Sequence, residues 1–131
     1  MCGISAVISS SKNIVDVLYD SMFNLQHRGQ ESSGIHVCFS NSNEIFKSKL
    51  FGLVDKQLPR LESVNGNIGI GHLRYPTSGL KTTKEIQPFS IIFPYDISLV
   101  HNGNITNQKA IFDFLKQNGI CCETTSDSEL I

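Results

Sequence analysis

The segment Met1-Cys2-Gly3-Ile4-Ser5-Ala6-Val7-Ile8 is a short apolar run at the start of the chain, and it ends at Ser9-Ser10-Ser11. An apolar run of this length between turn residues is typical of a buried β-strand. Removal of Met1 would leave a thiol and a free α-amino group together on Cys2. Because an α-amino group has a pKa of about 8, it can act as a base that removes the proton from the thiol of the same residue. The alternative is that Cys2 only fills the core, as free cysteines commonly do.

Downstream, apolar residues recur at intervals of three and four over residues 13–26 and again over 106–117, which predicts two helices with one buried face each. In the second helix, Thr106 is the predicted N-cap and Gly119 the stop signal. The residues expected on its buried face are Ile111, Phe114 and Leu115.

The remaining apolar runs predict strands that are separated by turn residues. The first two runs are joined by Asn41-Ser42-Asn43, which suits a hairpin. Residues 52–63 are ambiguous, because Pro59 interrupts what could be two short helical turns. The predicted strands cover residues 35–40, 44–49, 67–75, 90–93 and 97–101.

Composition describes a single globular domain with a lightly charged surface. The chain has 131 residues, of which 40% are apolar and 18% charged, and a formal net charge of -1. This balance provides no basic footprint for nucleic acid or an anionic membrane. No apolar run approaches the roughly 20 residues of a membrane-spanning helix, and the N-terminus does not resemble a secretory signal. We therefore expect a cytoplasmic protein with no nucleic-acid or membrane partner.

The cysteines and histidines show no metal-binding pattern. Of the four cysteines, Cys121 and Cys122 are adjacent, and no CxxC pair suggests zinc. We expect all four cysteines to be free thiols. The four histidines also lack ligand spacing, which favours packing or hydrogen-bonding roles and no metal site.

The stretch His101-Asn102-Gly103-Asn104 is a candidate for oxyanion chemistry. Asn-Gly is a strong hairpin signal, which is the alternative interpretation. However, only Asn104 and Ile105 precede the predicted cap at Thr106, so the pair is expected at a strand-to-helix joint. An Asn side-chain amide beside a Gly backbone N–H can stabilise an oxyanion with two donors.

Arg74 lies at the end of a predicted strand within Gly71-His72-Leu73-Arg74-Tyr75-Pro76-Thr77-Ser78-Gly79. Its guanidinium can bind a carboxylate through two parallel hydrogen bonds, although an arginine paired with any nearby acid is the simpler interpretation. Ser126-Asp127-Ser128-Glu129 has the form of a helix capping box. Because the chain ends at Ile131, we expect the sequence to stop partway through a fold.

Five motifs, taken together, resemble class II glutamine amidotransferases, and in particular those that act in de novo purine synthesis. The resemblance implies an α+β fold of the N-terminal nucleophile hydrolase type, with antiparallel β-sheets sandwiched between helices in the order α-β-β-α and incomplete at the C-terminus. The motifs are Met1-Cys2-Gly3-Ile4, QHRGQESSGI at 26–35, GHLRYPTSG at 71–79, HNGNI at 101–105 and SDSE at 126–129.

This resemblance implies that Cys2 is the nucleophile that attacks the side-chain amide of glutamine and releases ammonia. The side-chain amide of Asn102 and the backbone N–H of Gly103 match the oxyanion hole of the family. Arg74 matches the residue that binds the substrate α-carboxylate, and Asp127 matches the acid that binds the α-amino group. Thr77 and Ser78 would line the same loop as Arg74, and an orienting role beside the nucleophile is implied for Arg28 and Gly29.

The resemblance also implies that this chain carries only one of the two domains that the family combines. Residues 1–131 would form the N-terminal portion of a type 2 amidotransferase domain, without the phosphoribosyltransferase domain that binds magnesium. We therefore expect no cofactor in this chain, glutamine as its substrate and a separate phosphoribosyltransferase chain as a partner. Part of the apolar sheet surface would remain uncovered.

Two other functions compete with this glutaminase hypothesis. The chain could be a truncated, catalytically inactive remnant or binding module of the same family. It could also be an N-terminal nucleophile hydrolase that acts on a different amide, but the pairing of Arg74 with Asp127 disfavours that alternative.

Overall fold

The computed structural model describes residues 1–42, 44–75, 82–92 and 94–131. The strands in these ranges are β1 (Gly3–Ile8), β2 (Ser32–Phe39), β3 (Ile45–Phe51), β4 (Gly66–Arg74), β5 (Phe89–Ile91) and β6 (Ile97–Leu99). The α-helices are α1 (Val15–Asn24), α2 (Leu58–Leu61) and α3 (Gln108–Gln117). Short 3-10 turns lie at Gln26–Arg28, Val54–Gln57, Thr83–Glu85 and Asp127–Leu130. This mixture of antiparallel sheets and helices confirms the α+β class.

A four-stranded antiparallel sheet in the order β1-β4-β2-β3 forms the centre of the fold. β1 pairs with β4 so that Gly3 lies opposite Leu73, and β2 pairs with the other edge of β4 so that Ser32 lies opposite Arg74. Neighbouring strands run in opposite directions, so the start of β1, the end of β4 and the start of β2 meet at one end of the sheet. Cys2 precedes β1 and therefore lies at this end.

Helix α1 packs on one face of the sheet, which we call the helix-covered face. Leu18 and Met22 of α1 are fully buried there. Gly69 and Gly71 of β4 make room for them, since a Cβ atom on Gly71 would lie 2.1 Å from the Met22 sulfur. Burial of each large apolar side chain stabilises the fold by about 1.5–3 kcal/mol. The predicted helix over 13–26 is confirmed with slightly shorter ends.

The opposite face of the sheet, which we call the open face, is partly covered by the two-stranded sheet β5-β6. His36 Nδ1 lies 2.8 Å from Ser98 Oγ of β6. Where Gly34 meets the segment before β5, a Cβ atom would lie 1.9 Å from the carbonyl oxygen of Gln87, so the two main chains are in contact. Elsewhere on the open face, as expected, apolar side chains are uncovered, notably Ile8 and Ile68.

The predicted strands all form, with shifted ends. The expected hairpin is β2–β3, and β2 begins earlier than predicted, at Ser32. The runs at 90–93 and 97–101 pair as β5 and β6. The ambiguous segment 52–63 folds into a 3-10 turn and the one-turn helix α2, in which proline occupies the first turn. Asn43 and Phe93 lie outside the described residues.

Helix α3 departs from the prediction at its start and on its apolar face. It begins at Gln108 after Asn107, and no side chain caps it, so Thr106 is not the N-cap. Phe114 is 64% exposed. The 3:4 periodicity identified an apolar stripe correctly. However, the main packing partner of α3 among the described residues is the short 127–130 turn, so the stripe is only partly covered. The stop is confirmed, because Gly119 has a φ of +76°.

The predicted capping box at 126–129 forms only in part. Ser126 Oγ accepts a hydrogen bond from the Ser128 N–H at 3.4 Å, as expected. Glu129 does not return to the Ser126 N–H, because its carboxylate accepts from the backbone N–H groups of Glu123 and Thr124, both at 2.7 Å. The chain bends at 123–125 and brings these free amides within reach of the same side chain. The result is a single 3-10 turn.

Candidate active site

Cys2 lies at the end of the sheet where three strand ends meet. Its thiol is free and half-buried. The Arg28 Nε donates a hydrogen bond to the Cys2 carbonyl oxygen at 3.2 Å, which fixes the main chain next to the thiol. Because Arg28 lies in the 3-10 turn that follows α1, the helix connects directly to the candidate nucleophile.

A cavity of about 350 Å³ opens beside Cys2. Its lining includes five residues that the sequence analysis singled out, although they are distributed over most of the chain. A cavity of this size is at the lower end of the range for small-molecule sites. The five residues are Cys2, Arg74, Asn102, Gly103 and Asp127.

Arg74 points into this cavity from the last position of β4 and is flanked by two carboxylates. Its Nε lies 3.3 Å from Glu31 Oε2, and its Nη1 lies 3.8 Å from Glu85 Oε2. Nη1 also donates a hydrogen bond to the Glu85 carbonyl oxygen at 3.2 Å. The guanidinium is therefore held in one orientation by partners on two sides.

The Asn102-Gly103 pair occupies the joint between β6 and α3, as predicted. The backbone on both sides of it is anchored by side chains. Gln87 Oε1 accepts from the His101 N–H at 2.6 Å, and Asp127 Oδ2 accepts from the Ile105 N–H at 2.9 Å. These anchors leave Asn102 and Gly103 exposed on the cavity wall, where their donors can meet a ligand.

Gly103 is required for space. A Cβ atom at this position would lie 2.5 Å from His101 Nε2. The His101 ring is in turn held by Ser128, whose hydroxyl oxygen lies 3.0 Å from His101 Nδ1. Any side chain on Gly103 would therefore push against a ring that is already fixed.

Gly29 packs against the main chain of β4 next to Arg74. A Cβ atom on Gly29 would lie 2.5 Å from the Leu73 carbonyl oxygen and 2.7 Å from the carbonyl carbon of Arg74. Only glycine permits this approach of two main chains. Arg28 and Gly29 therefore contact the backbone at Cys2 and at Arg74 respectively. Thr77 and Ser78, which the sequence analysis placed in the same loop as Arg74, lie outside the described residues.

Sequence reasoning missed four residues of this region. Glu31 lies inside the quoted 26–35 motif, so its position was available as a signal. His72 precedes Arg74 in another motif. Glu85 and Gln87 belong to no motif, although both are buried, at 6% and 7% exposure, and the main chain of Gln87 contacts β2 at Gly34.

His72 lines the cavity together with Cys2 and is buried on the open face. Burial lowers the pKa of this imidazole to about 4, and the positive charge of Arg74 acts in the same direction. A backbone hydrogen bond with His101 opposes the shift. His72 is therefore neutral at pH 7 and contributes no positive charge that would stabilise a Cys2 thiolate.

The described part of the chain contains no helix long and apolar enough to cross a membrane. The cysteines are all free, in agreement with the sequence-based expectation.

The fold and the cavity define a class of protein. A β-strand that begins next to a cysteine, in an α+β fold of antiparallel sheets, is the arrangement of N-terminal nucleophile glutamine amidotransferases, and the comparisons with known proteins agree. No protein-family model matches the chain. Individual proteins match all of it: the amidophosphoribosyltransferases of Pseudomonas aeruginosa and Escherichia coli are each 39% identical, over 134 and 138 residues. That of Saccharomyces cerevisiae is 36% identical over 136 residues.

Solved structures show the same relationship. The glutamine phosphoribosylpyrophosphate amidotransferase of Bacillus subtilis superimposes with a TM-score of 0.83 at 28% identity, over 99% of this chain. A structure described as the allosteric regulatory enzyme of purine biosynthesis gives a TM-score of 0.84 at 29% identity. Over its whole length the chain is similar to the N-terminal part of amidophosphoribosyltransferases. It spans about a quarter of the length of these relatives, 26% in the two bacterial proteins.

Proposed function

We propose that this chain hydrolyses glutamine to glutamate and ammonia through a thioester on Cys2, as the glutaminase part of an amidophosphoribosyltransferase-like system for de novo purine biosynthesis. One observation carries the proposal. A single cavity gathers a cysteine, an asparagine with its neighbouring glycine, a guanidinium and a carboxylate from separate parts of the sequence. Glutamine presents the complementary groups, namely an amide, an α-carboxylate and an α-ammonium.

The first half of the reaction forms the thioester. With Met1 removed, the α-amino group of Cys2 accepts the thiol proton, and the sulfur attacks the amide carbon of glutamine. The tetrahedral intermediate collapses as the proton passes to the amide nitrogen, the C–N bond breaks and ammonia leaves. In the second half, water adds to the thioester carbon, the C–S bond breaks, and glutamate and the thiol are regenerated.

The intermediates of both halves carry an oxyanion that needs donors. The Asn102 side-chain amide and the Gly103 N–H would supply two hydrogen bonds, from a loop already anchored at His101 and Ile105. Donors positioned in advance stabilise the transition state without reorganisation, and each is worth about 10²–10³ in kcat.

Two charged groups would hold the ends of the substrate. Arg74 would bind the α-carboxylate, and Asp127 would bind the α-ammonium. Asparagine is one methylene shorter, so it could not occupy both groups and still present its amide to Cys2. Thr77 and Ser78 are proposed to line the substrate site, and the orienting role belongs to Arg28 and Gly29.

We assign no step of this reaction to a metal. Within the described residues, no group of three or more His, Cys, Asp and Glu side chains could hold a metal ion. Magnesium would belong to a phosphoribosyltransferase domain, which we propose is supplied by a separate partner chain that consumes the ammonia. We propose that the reaction takes place in the cytoplasm.

The proposal is tested by two measurements on the purified chain. Intact mass shows whether Met1 is removed, and incubation with glutamine shows whether glutamate and ammonia form in equal amounts. Cys2→Ala should abolish turnover and retain the melting temperature of the parent. Glutamate production by Cys2→Ala at the parent rate would refute the assignment. A parent that binds glutamine without turnover would instead identify a binding module.

A further inference from the structure

Glu85 contacts Arg74, one of the two proposed substrate-binding charges, and also the segment that carries the other one, Asp127. It ends the 3-10 turn Thr83–Glu85, and its side chain is 6% exposed. One carboxylate oxygen, Oε2, lies 3.8 Å from Arg74 Nη1, and the Glu85 carbonyl oxygen accepts a hydrogen bond from the same nitrogen at 3.2 Å. Both the main chain and the side chain of Glu85 therefore contact the guanidinium.

The other carboxylate oxygen of Glu85 contacts the C-terminal segment. Oε1 accepts two hydrogen bonds from Thr125, one from its N–H and one from its hydroxyl group, each at 2.9 Å. Thr125 lies two positions before Asp127 in the chain. Glu85 thus joins Arg74 to the segment that carries Asp127.

The chemistry of this position requires a carboxylate. Oε1 faces two donors and Oε2 faces a cation, so both oxygens must accept. An amide of the same size would have to direct its NH₂ group toward either Arg74 or Thr125, where a donor would meet a donor. A carboxylate as buried as Glu85 is stable only with such partners.

A second contact from the same segment strengthens the connection. Gln87 Nε2 donates a hydrogen bond to Ser128 Oγ at 3.0 Å, and Gln87 Oε1 accepts from the His101 N–H. Gln87, two residues after Glu85, therefore joins the loop that carries Asn102 and Gly103 to the 127–130 turn. The substrate-binding charges and the oxyanion donors share one support.

We propose that Glu85 is a positioning residue that sets the separation of Arg74 and Asp127, and thereby selects an amino acid with the chain length of glutamine. This proposal rests on the proposed function, because it assigns substrate groups to Arg74 and Asp127. Glu85 itself does not contact the reacting amide. Its loss should therefore weaken binding of the substrate ends more than it slows the chemical step.

The test is Glu85→Gln in the full 131-residue chain, measured for KM and kcat with glutamine and with asparagine. We expect KM for glutamine to rise about 10- to 100-fold, the range for losing a hydrogen bond to a charged group. We expect kcat to change by less than about 3-fold and the preference for glutamine over asparagine to shrink. Thr125→Val removes only one hydrogen bond and should raise KM by a smaller factor. It also provides the test if Glu85→Gln does not fold, since Thr125 is exposed.

The matched control is Glu123→Gln. Glu123 is a carboxylate in the same C-terminal segment, but it is 70% exposed and pairs with Lys84 at 2.9 Å. This variant should leave KM unchanged. If Glu85→Gln and Thr125→Val also leave KM and the preference for glutamine unchanged, Glu85 has no positioning role.

Calorimetric titration with glutamate separates the failure of this inference from the failure of the proposed function. If the parent hydrolyses no glutamine but binds glutamate, and Glu85→Gln binds it about 10-fold or more weakly, the glutaminase proposal fails and the positioning role stands. If the parent turns over glutamine and the variants match it, only the positioning role fails. If the parent neither turns over glutamine nor binds glutamate, both are overturned.

Discussion

The two faces of the four-stranded sheet differ in what they contain. The helix-covered face is mainly apolar, with Met22 and Ile35 completely buried. The open face bears buried imidazoles at His36 and His72, and its end carries Arg74 and the cavity. Successive side chains of a strand point to opposite faces. β4 therefore places Gly69 and Gly71 on the helix-covered face, and His72 and Arg74 on the open face beside the cavity.

The packing that stabilises the fold therefore lies on one side of these strands, and the candidate catalytic residues lie on the other side. Substitutions on the helix-covered face should change the free energy of unfolding, because the large side chains there are buried against one another. Substitutions around the cavity should change activity first, because its walls are built from loops held by hydrogen bonds.

The largest effect is expected for Gly71→Val. The new Cβ would lie 2.1 Å from the Met22 sulfur, so the Met22 side chain must move within a core where it is already fully buried. We expect a loss of about 3 kcal/mol in unfolding free energy, the upper end of the usual range for overpacking a core, measured by urea denaturation. The matched control is Ala6→Val, an exposed position on the open face, which should be nearly neutral. If both variants lost the same unfolding free energy, the two faces of the sheet would not differ in their contribution to stability.

The next effect concerns catalysis, through Gly103→Ala. The added Cβ would press on the His101 ring at 2.5 Å and displace the two oxyanion donors. We expect kcat to fall about 10²-fold, with little change in KM, because the donors act on the transition state. Stopped assays of glutamate formation measure both constants.

Asn107→Ala serves as the control for that variant, since the Asn107 side chain makes no capping hydrogen bond at the start of α3. It should retain the parent kcat. A fall in melting temperature of Gly103→Ala with unchanged kcat would place this loop among the structural elements and not the catalytic ones.

The buried imidazoles of the open face predict a loss of stability in acid. Burial lowers the pKa of His36 to about 4, with smaller contributions from Lys49 and Lys47, and the pKa of His72 is likewise lowered to about 4. Between the ordinary histidine pKa of about 6.5 and 4, the unfolded chain binds protons that the folded chain does not. Stability is therefore lost as pH falls through this window, by up to about 3 kcal/mol per imidazole.

Urea denaturation at pH 7, 5 and 4 measures this loss. His36→Asn removes one of the two titrating groups and should flatten the pH dependence. An unchanged slope would show that His36 is protonated equally in both states.

The sequence predicts the sheet and its end well, because the information is local. The apolar run before Ser9 specifies β1, and the strand that stops at Arg74 specifies β4. Antiparallel pairing of these two strands is enough to bring Cys2 to Arg74. The position of Asn102-Gly103 between a strand and a helix could also be predicted from local spacing. Too few residues lie between this pair and α3 to form a return strand.

Other features depend on contacts between distant segments, and no local pattern encodes them. Glu85 is a buried partner of Arg74 only because its segment packs against Gly34. Periodicity showed where the apolar side of α3 lies but not that Phe114 would remain exposed. The capping-box pattern predicted that Glu129 would accept a hydrogen bond from Ser126. It could not predict that the backbone N–H groups of residues 123 and 124 would bind its carboxylate instead.

The smallest effect is expected where a carboxylate of the C-terminal segment faces water. Lys84 and Glu123 pair at 2.9 Å, and their hydrogen bond raises the pKa of Lys84 and lowers that of Glu123. Both side chains are mostly exposed, so water and salt screen the attraction. Glu123→Gln should therefore leave the melting temperature unchanged at physiological ionic strength, as measured by calorimetry. A clear decrease would mean that this exposed pair, and not the buried Glu85 carboxylate, holds the C-terminal segment against the cavity.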